Sequence, residues 1–180
     1  MMPTRSDRGI IFENAISWIV VFGMVVYGVG KIVQFNGAAD FDININEMSN
    51  MQLMWAFYGR SKSFVITLGI LEVTAGLMIF FRKTRLLGGF FASTILANII
   101  LQDIFYDVHR GALLAAMLYQ GLIIVIFFIH RNTILQAFQT MITYHKPSEL
   151  NSKFFFNLFL AFLLFIIFRI LEYYVTIVLL

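Results

Sequence analysis

The chain contains no cysteine and few ionisable residues. The absence of cysteine from all 180 residues excludes disulfide exchange, thiolate-bound metal and cysteine-based quinone reduction. The three histidines, at positions 109, 130 and 145, lie near the edges of predicted membrane spans, which argues against a histidine pair binding haem inside the membrane. Charged residues make up only 13% of the chain, where a globular protein has about a quarter. The net charge of +3 gives no reason to expect a nucleic-acid partner.

Apolar residues, by contrast, are abundant. The chain is 60% hydrophobic and 17% aromatic, with a mean hydropathy of +0.84. A soluble domain of this length could not bury so much apolar surface, so lipid must be the solvent of most side chains. The composition therefore predicts an integral membrane protein.

Apolar runs of about 20 residues predict transmembrane helices. Arg5 and Arg8 ahead of the first run would also fit a cleavable signal peptide, but the length of the run and the position of Lys31 favour an uncleaved helix. We predict five spans, at Ile10–Val33, Ser63–Phe81, Leu86–Gln102, Gly111–Ile129 and from Phe154 almost to the C-terminus.

The distribution of basic residues predicts the orientation and the domain organisation. Lys and Arg collect on the cytoplasmic side of membrane proteins, and the RKTR turn at 82–85 favours a cytoplasmic N-terminus and an outer C-terminus. We expect a four-helix bundle at 1–130 with an outer loop at 34–62, a cytoplasmic connector at 131–153 broken by Pro147, and an additional helix at 154–180. The end of the outer loop, MQLMWAFYG, is expected to form a short helix whose Trp55 suits the membrane interface or a ligand contact.

Polar side chains inside the spans gather toward the outer side and predict a pocket there. Glu72 lies at the middle of its span and would form the floor, with Asn98 and Arg169 along the wall and Lys31 and Asp107 at the rim. Further candidates are Glu172, which shares a helix face with Arg169, and Tyr27.

Each candidate also has a purely structural interpretation. Glu72 could be a structural carboxyl, Lys31 could reach lipid head groups, and Asn98 could join helices. Arg169 and Glu172 could neutralise each other. Asp103, Asp107 and His109 form too weak a pattern to predict a metal site.

Small residues in the spans indicate where helices pack closely. Gly69 and Gly76 lie on the same side of their helix as Glu72, and Gly23, Tyr27 and Gly30 form a similar face on the first span. Such faces allow two membrane helices to approach each other.

Several motifs resemble those of the DoxX-like family of small bacterial membrane proteins. They are GVGKIVQF at 28–35, the stretch from MWAFYG to RKTRLLGG at 54–89, and FYDV at 105–108. The resemblance covers about residues 10–130 and implies a four-helix bundle in the bacterial inner membrane. It also implies importance for Lys31, Trp55, Glu72, Asn98, Tyr106 and Asp107. Here His109, Arg110 and Gly111 follow FYDV in place of the usual Pro-Val-Lys, and the fifth span lies outside the family's unit.

Three functions are compatible with this sequence. The favoured hypothesis is a non-enzymatic accessory or binding subunit of a membrane complex, in contact with the lipid bilayer and with another membrane or periplasmic protein. The alternative is a subunit of a quinone-linked oxidoreductase related to thiosulfate:quinone oxidoreductases, for which quinone would be the cofactor. A transporter of small solutes or protons is disfavoured, because the inner half of the bundle carries little charge and no paired repeat is visible.

Overall fold

The structure is a computed structural model that describes residues 4–40, 42–143 and 152–178. These residues form helices and turns, with no strand among them. The α-helices are α1 (Arg5–Gln34), α2 (Asn50–Gly59), α3 (Lys62–Phe80), α4 (Arg85–Tyr106), α5 (Arg110–Ile129), α6 (Arg131–Thr143) and α7 (Ser152–Tyr173). A single 3-10 turn occupies Ala38–Asp40, and a π-helical segment at Tyr174–Val178 continues α7. The expected all-helical fold is confirmed.

Five of the described helices, α1, α3, α4, α5 and α7, are long and apolar enough to cross a membrane. The chain is therefore a multi-pass membrane protein, as predicted. The helix α1 begins at Arg5, earlier than the predicted Ile10, because the Thr4 hydroxyl accepts a hydrogen bond from the Asp7 backbone N–H while the Asp7 carboxylate accepts one from the Thr4 N–H. This reciprocal cap satisfies backbone donors at the start of the helix.

The chain divides into two compact units, Met1–Ile134 and Leu135–Leu180. In the first unit α1 packs against α3 and α5, and α4 packs against α3 and α5, so that four helices surround one core. Among the described residues each of these helices contributes two buried side chains to that core: Val20, Met24, Ala75, Ile79, Ala92, Leu96, Ala116 and Ile123. The first three pairs are four residues apart, the spacing that keeps two side chains on one helix face.

Large apolar side chains cover the outside of this unit. Phe22, Phe128 and Leu114 are 71%, 68% and 67% exposed, while the core contains several small residues. This distribution is stable only if the surroundings are apolar as well, which agrees with a bundle surrounded by lipid.

Glycines allow α1 and α3 to approach each other closely. A Cβ atom added to Gly69 would overlap the backbone carbonyl oxygen of Gly28, and one added to Gly28 would lie 2.8 Å from the carbonyl oxygen of Gly69. Gly76 also faces α1, as its predicted role in packing requires. On α1 the packing differs from the expectation, because Gly23 faces Tyr119 of α5 and Gly30 has no neighbour within 4 Å.

The second unit contains most of α6 and all of α7. Residues 131–143 of the predicted connector form α6, and α7 begins at Ser152, close to the expected start of the fifth span at Phe154. The predicted break at Pro147 lies outside the described residues.

Candidate functional site

The first unit contains a cavity of about 730 Å³ among α1, α3, α4 and α5, with α2 contributing to its lining. This volume lies within the usual range of about 300–1,000 Å³ for small-molecule sites. Its polar lining residues are Tyr27, Lys31, Gln34, Tyr58, Glu72, Thr94, Asn98, Gln102, Asp103, His109 and Tyr119. Much of the remaining lining consists of methionine, aromatic and aliphatic side chains, including Met24, Met51, Met54, Trp55, Leu68, Leu71 and Phe91. The cavity therefore combines an apolar wall with a limited set of polar groups.

A buried ion pair lies in this cavity. The Lys31 Nζ atom is 3.0 Å from Glu72 Oε1, and the two side chains are 14% and 3% exposed. Lys31 lies one turn after Gly28 on α1, and Glu72 lies one turn after Gly69 on α3. The contact is possible because the two helices approach each other closely at these glycines.

The second carboxylate oxygen of Glu72 has no partner. Oε2 is buried and makes no hydrogen bond within the described part of the chain. Nearly all buried polar atoms in proteins are hydrogen-bonded, and an unpaired one costs about 1–3 kcal/mol. Glu72 is one of the residues that line the cavity, so this unpaired oxygen belongs to a side chain at the cavity wall.

The helix α2 covers part of the cavity with aromatic side chains. The Tyr58 hydroxyl donates a hydrogen bond of 3.0 Å to Gln102 Oε1 on α4, and the Tyr58 ring stacks on Phe64. Phe35, at the end of α1, packs against both Tyr58 and Trp55. The helix itself begins with a reciprocal cap between Ser49 and Gln52. The structure thus places Trp55 in the lining of the cavity and attaches α2 to α4 by a single side-chain hydrogen bond.

A further carboxylate of the lining belongs to Asp103 near the end of α4. Its Oδ1 accepts a hydrogen bond of 3.2 Å from the His109 backbone N–H. The Nδ1 atom of His109 accepts a hydrogen bond from the Ala112 backbone N–H and caps α5. The Lys, Asp and Glu side chains of the lining are accordingly one lysine, Lys31, and two carboxylates, Glu72 and Asp103.

A second buried polar cluster joins three helices away from the cavity. Arg85 at the start of α4 donates to Glu13 Oε1 at 2.6 Å and to Asn14 Oδ1 at 3.0 Å, and its Nε donates to the Ile79 carbonyl oxygen. His130 Nε2 lies 3.1 Å from the same Glu13 oxygen. Arg85 is 3% exposed and Glu13 is 7% exposed. This cluster holds the ends of α1, α4 and α5 together, and none of its side chains lines the cavity.

The predicted site residues fall into three groups. Lys31, Glu72, Asn98, Tyr27 and Trp55 all line the cavity. Tyr119, which also lines it and packs edge-on against Tyr27, was missed because a tyrosine in an apolar span carries no distinctive sequence signal.

Two predicted residues at the end of α4 lie apart from the cavity lining. Asp107 ends α4 in a left-handed backbone conformation, with φ 44°, and its side chain is exposed. Tyr106 is 64% exposed. Neither belongs to the residues that line the cavity.

The remaining predicted residues lie on α7. Arg169 and Glu172 form an ion pair with each other, with both side chains more than half exposed. Their membership of the polar pocket stays a prediction. Within the described ranges, no group of three or more His, Asp or Glu side chains is arranged to hold a metal ion.

Comparison of the chain with known proteins finds no matching family model, no matching curated protein and no matching solved structure.

Proposed function

We propose that this chain is a membrane-embedded binding protein that holds a small amphiphile in the cavity of its first unit. The observation that carries the proposal is the buried Lys31–Glu72 pair, which lines a cavity of about 730 Å³ and leaves one Glu72 oxygen without a partner. An amphiphile fits this lining, because its head can bond to the polar groups while its apolar part contacts methionine and aromatic side chains.

The cost of burying charge supports a functional role for the pair. Ionisable groups inside membrane spans are expensive, and a buried pair gives little net stability compared with apolar residues of similar size. A purely structural pair would be expected to have both carboxylate oxygens bonded, whereas Glu72 leaves one unpaired. A ligand that bonds to this oxygen would offset the cost.

A quinone-linked role is the second candidate. Lys31 and Asn98 both line the cavity, and their N–H groups are suitable donors to the carbonyl oxygens of a quinone ring. Phe91, Trp55 and Tyr119 provide apolar ring faces in the same lining. Since the chain has no cysteine, electron transfer would require a cofactor-bearing partner protein.

The proposed cellular context follows from the sequence. We propose that the protein belongs to the DoxX-like family and resides in a bacterial inner membrane with its N-terminus in the cytoplasm. We further propose that it acts as an accessory subunit beside another membrane or periplasmic protein. The motifs at 28–35, 54–89 and 105–108 and the distribution of basic residues support this assignment.

Identifying what co-purifies with the protein tests the proposed function. The full chain is extracted in a mild detergent, and small molecules and proteins bound to it are determined by native mass spectrometry and by analysis of an organic extract. We expect one small amphiphile per chain in the wild type and its loss in Glu72→Gln, which removes the carboxylate that lies in the cavity.

Glu13→Gln is the matched control, since it also replaces a buried, paired carboxylate by an amide but does so outside the cavity. This variant should retain the amphiphile. A wild-type protein that carries no small molecule, or equal loss of the molecule from the two variants, would contradict the proposal. A stoichiometric quinone would favour the second candidate.

A further inference from the structure

The electrostatics of the cavity restrict the head group of its ligand, an inference that rests on the proposed binding function. The Lys31–Glu72 pair is neutral as a whole, wherever its proton lies. Asp103 adds a second carboxylate, whose Oδ1 accepts from the His109 backbone N–H. Counted over its Lys, Asp and Glu side chains, the lining therefore has a formal excess of one negative charge. Because much of the lining is apolar, this excess disfavours an anionic ligand, since Coulomb interactions are stronger in apolar surroundings than in water.

The unpaired Oε2 atom of Glu72 requires a hydrogen-bond donor in the head group of the ligand. Glu72 Oε2 can accept a hydrogen bond but cannot donate one while the carboxylate is ionised. A carboxylate or phosphate head offers only acceptors to this oxygen and would repel it. A hydroxyl or amine head offers a donor.

Lys31 does not provide an alternative anion site. Its Nζ is already held by Glu72 Oε1 at 3.0 Å, and only 14% of its side chain is exposed. An anionic head would have to displace Glu72 from the ammonium and would leave that carboxylate buried without a partner. The free energy lost by leaving the Glu72 carboxylate buried and unpaired exceeds the free energy gained when Lys31 pairs with the ligand instead.

We infer that the cavity selects amphiphiles whose head donates a hydrogen bond and carries no negative charge, such as long-chain alcohols and amines, and rejects the corresponding carboxylates. In the bound state the hydroxyl or ammonium group donates to Glu72 Oε2, and the alkyl chain lies along the apolar lining.

Three probes with the same alkyl chain test this selectivity: octanol, octylamine and octanoate. Binding is measured at neutral pH on the full chain in nanodiscs of zwitterionic lipid, by quenching of Trp55 fluorescence. The measurement is made on a Trp18→Phe background, because the chain has two tryptophans and Trp18 is exposed outside the cavity. We expect octanol and octylamine to bind at least about tenfold more tightly than octanoate, after correction for the partition of each probe into protein-free nanodiscs.

Two variants test the origin of the selectivity. Glu72→Gln leaves Lys31 without its carboxylate and should reverse the order, with octanoate gaining and octylamine losing about tenfold in affinity. Asp103→Asn keeps the oxygen that accepts from the His109 backbone N–H and removes only the charge. It should therefore reduce the difference in affinity between octanol and octanoate. If Glu72→Gln does not fold, the order of the three probe affinities in the wild type and the effect of Asp103→Asn on octanoate binding still test the selectivity.

The outcomes separate this inference from the proposed function. Octanoate binding as tightly as octanol, or an anionic molecule co-purifying with the wild type, would overturn the inferred selectivity. The proposed function as an amphiphile-binding protein would still stand. Failure of all three probes to quench Trp55, with no co-purifying molecule, would overturn both.

Discussion

Replacing Lys31 by methionine removes the ammonium group from the cavity while keeping a flexible, unbranched side chain of similar length. The Glu72 carboxylate then has no partner for either oxygen, because Oε2 is already unpaired and Oε1 loses its only ion-pair partner among the described residues. The variant tests whether the pair is ionised and coupled as its geometry implies.

The structure sets the size of the expected effect. At 3.0 Å two unit charges attract each other by about 5.5 kcal/mol with an effective dielectric constant of about 20. Removing one partner of a buried pair destabilises proteins by about 3–5 kcal/mol, since the remaining charge is left in a poor solvent. We expect a loss in this range for Lys31→Met. Glu72→Gln should cost less, about 1–3 kcal/mol, because the 14%-exposed lysine can extend toward water.

A double-mutant cycle separates the interaction energy of Lys31 with Glu72 from the effect of each substitution on packing. The free energy of unfolding is measured in mixed micelles by titration with a denaturing detergent, for each single variant and for the double variant. We expect a coupling energy of about 2–3 kcal/mol, with the double variant more stable than Lys31→Met alone. Lys62→Met, at the exposed start of α3, is the control and should leave stability unchanged within error. A loss of stability in Lys31→Met no greater than that of the control would show that Lys31 and Glu72 do not form a stabilising buried ion pair.

Three further predictions concern other parts of the bundle. Gly69→Ala should destabilise the protein by about 1–3 kcal/mol because the new methyl group overlaps a backbone carbonyl of α1. Gly30→Ala is the control and should be neutral or stabilising in the same unfolding titration, because the space around Gly30 is open. Equal effects of the two substitutions would contradict the close contact between α1 and α3. Arg85→Met should lower the free energy of unfolding by about 3–5 kcal/mol, more than His130→Gln, since Arg85 is 3% exposed whereas the His130 side chain is 34% exposed. A larger loss of stability in His130→Gln, measured by thermal unfolding, would contradict the buried cluster. Tyr58→Phe removes the hydrogen bond between α2 and α4, worth about 1 kcal/mol, and should speed probe dissociation about fivefold in stopped-flow fluorescence, whereas an unchanged rate would show that α2 does not limit exchange.

The membrane helices could be predicted from the sequence almost to their ends. The second span was expected at Ser63–Phe81 and is found at Lys62–Phe80, because a long apolar run with few charges has hardly any alternative to a membrane helix. The short helix at the end of the outer loop was also predicted and extends over Asn50–Gly59. The start of α1 was displaced, since the expectation followed apolar residues and the cap at Thr4 precedes them. The end of α4 was displaced too, since the helix runs four residues beyond the predicted Gln102, to Tyr106.

The partners within the cavity were harder to predict. Helix rise assigned Lys31 to the rim of the pocket and Glu72 to its floor, whereas the structure brings their side chains into direct contact. Depth along one helix does not say which faces of two helices meet, and the contact of Gly28 with Gly69 is what lets the long lysine side chain reach the carboxylate.

The cluster around Arg85 was not predicted for a related reason. Glu13, Arg85 and His130 each look like an ordinary boundary residue of a different span. Only the packing of α1, α4 and α5 shows that they share one buried site. A comparison of the boundary residues of all spans at one side of the membrane would have placed the three side chains at a similar level.

Photolabelling with a long-chain alcohol that carries a diazirine on its alkyl chain tests the occupied cavity most directly. The labelled full-length protein is digested and the adducts are located by mass spectrometry, with and without excess octanol. We expect adducts on Met51, Met54 or Trp55 that octanol displaces and that Glu72→Gln loses but Glu13→Gln retains. Adducts confined to outward-facing residues such as Leu114 and Met117, with no displacement by octanol, would contradict the binding of an amphiphile in the cavity.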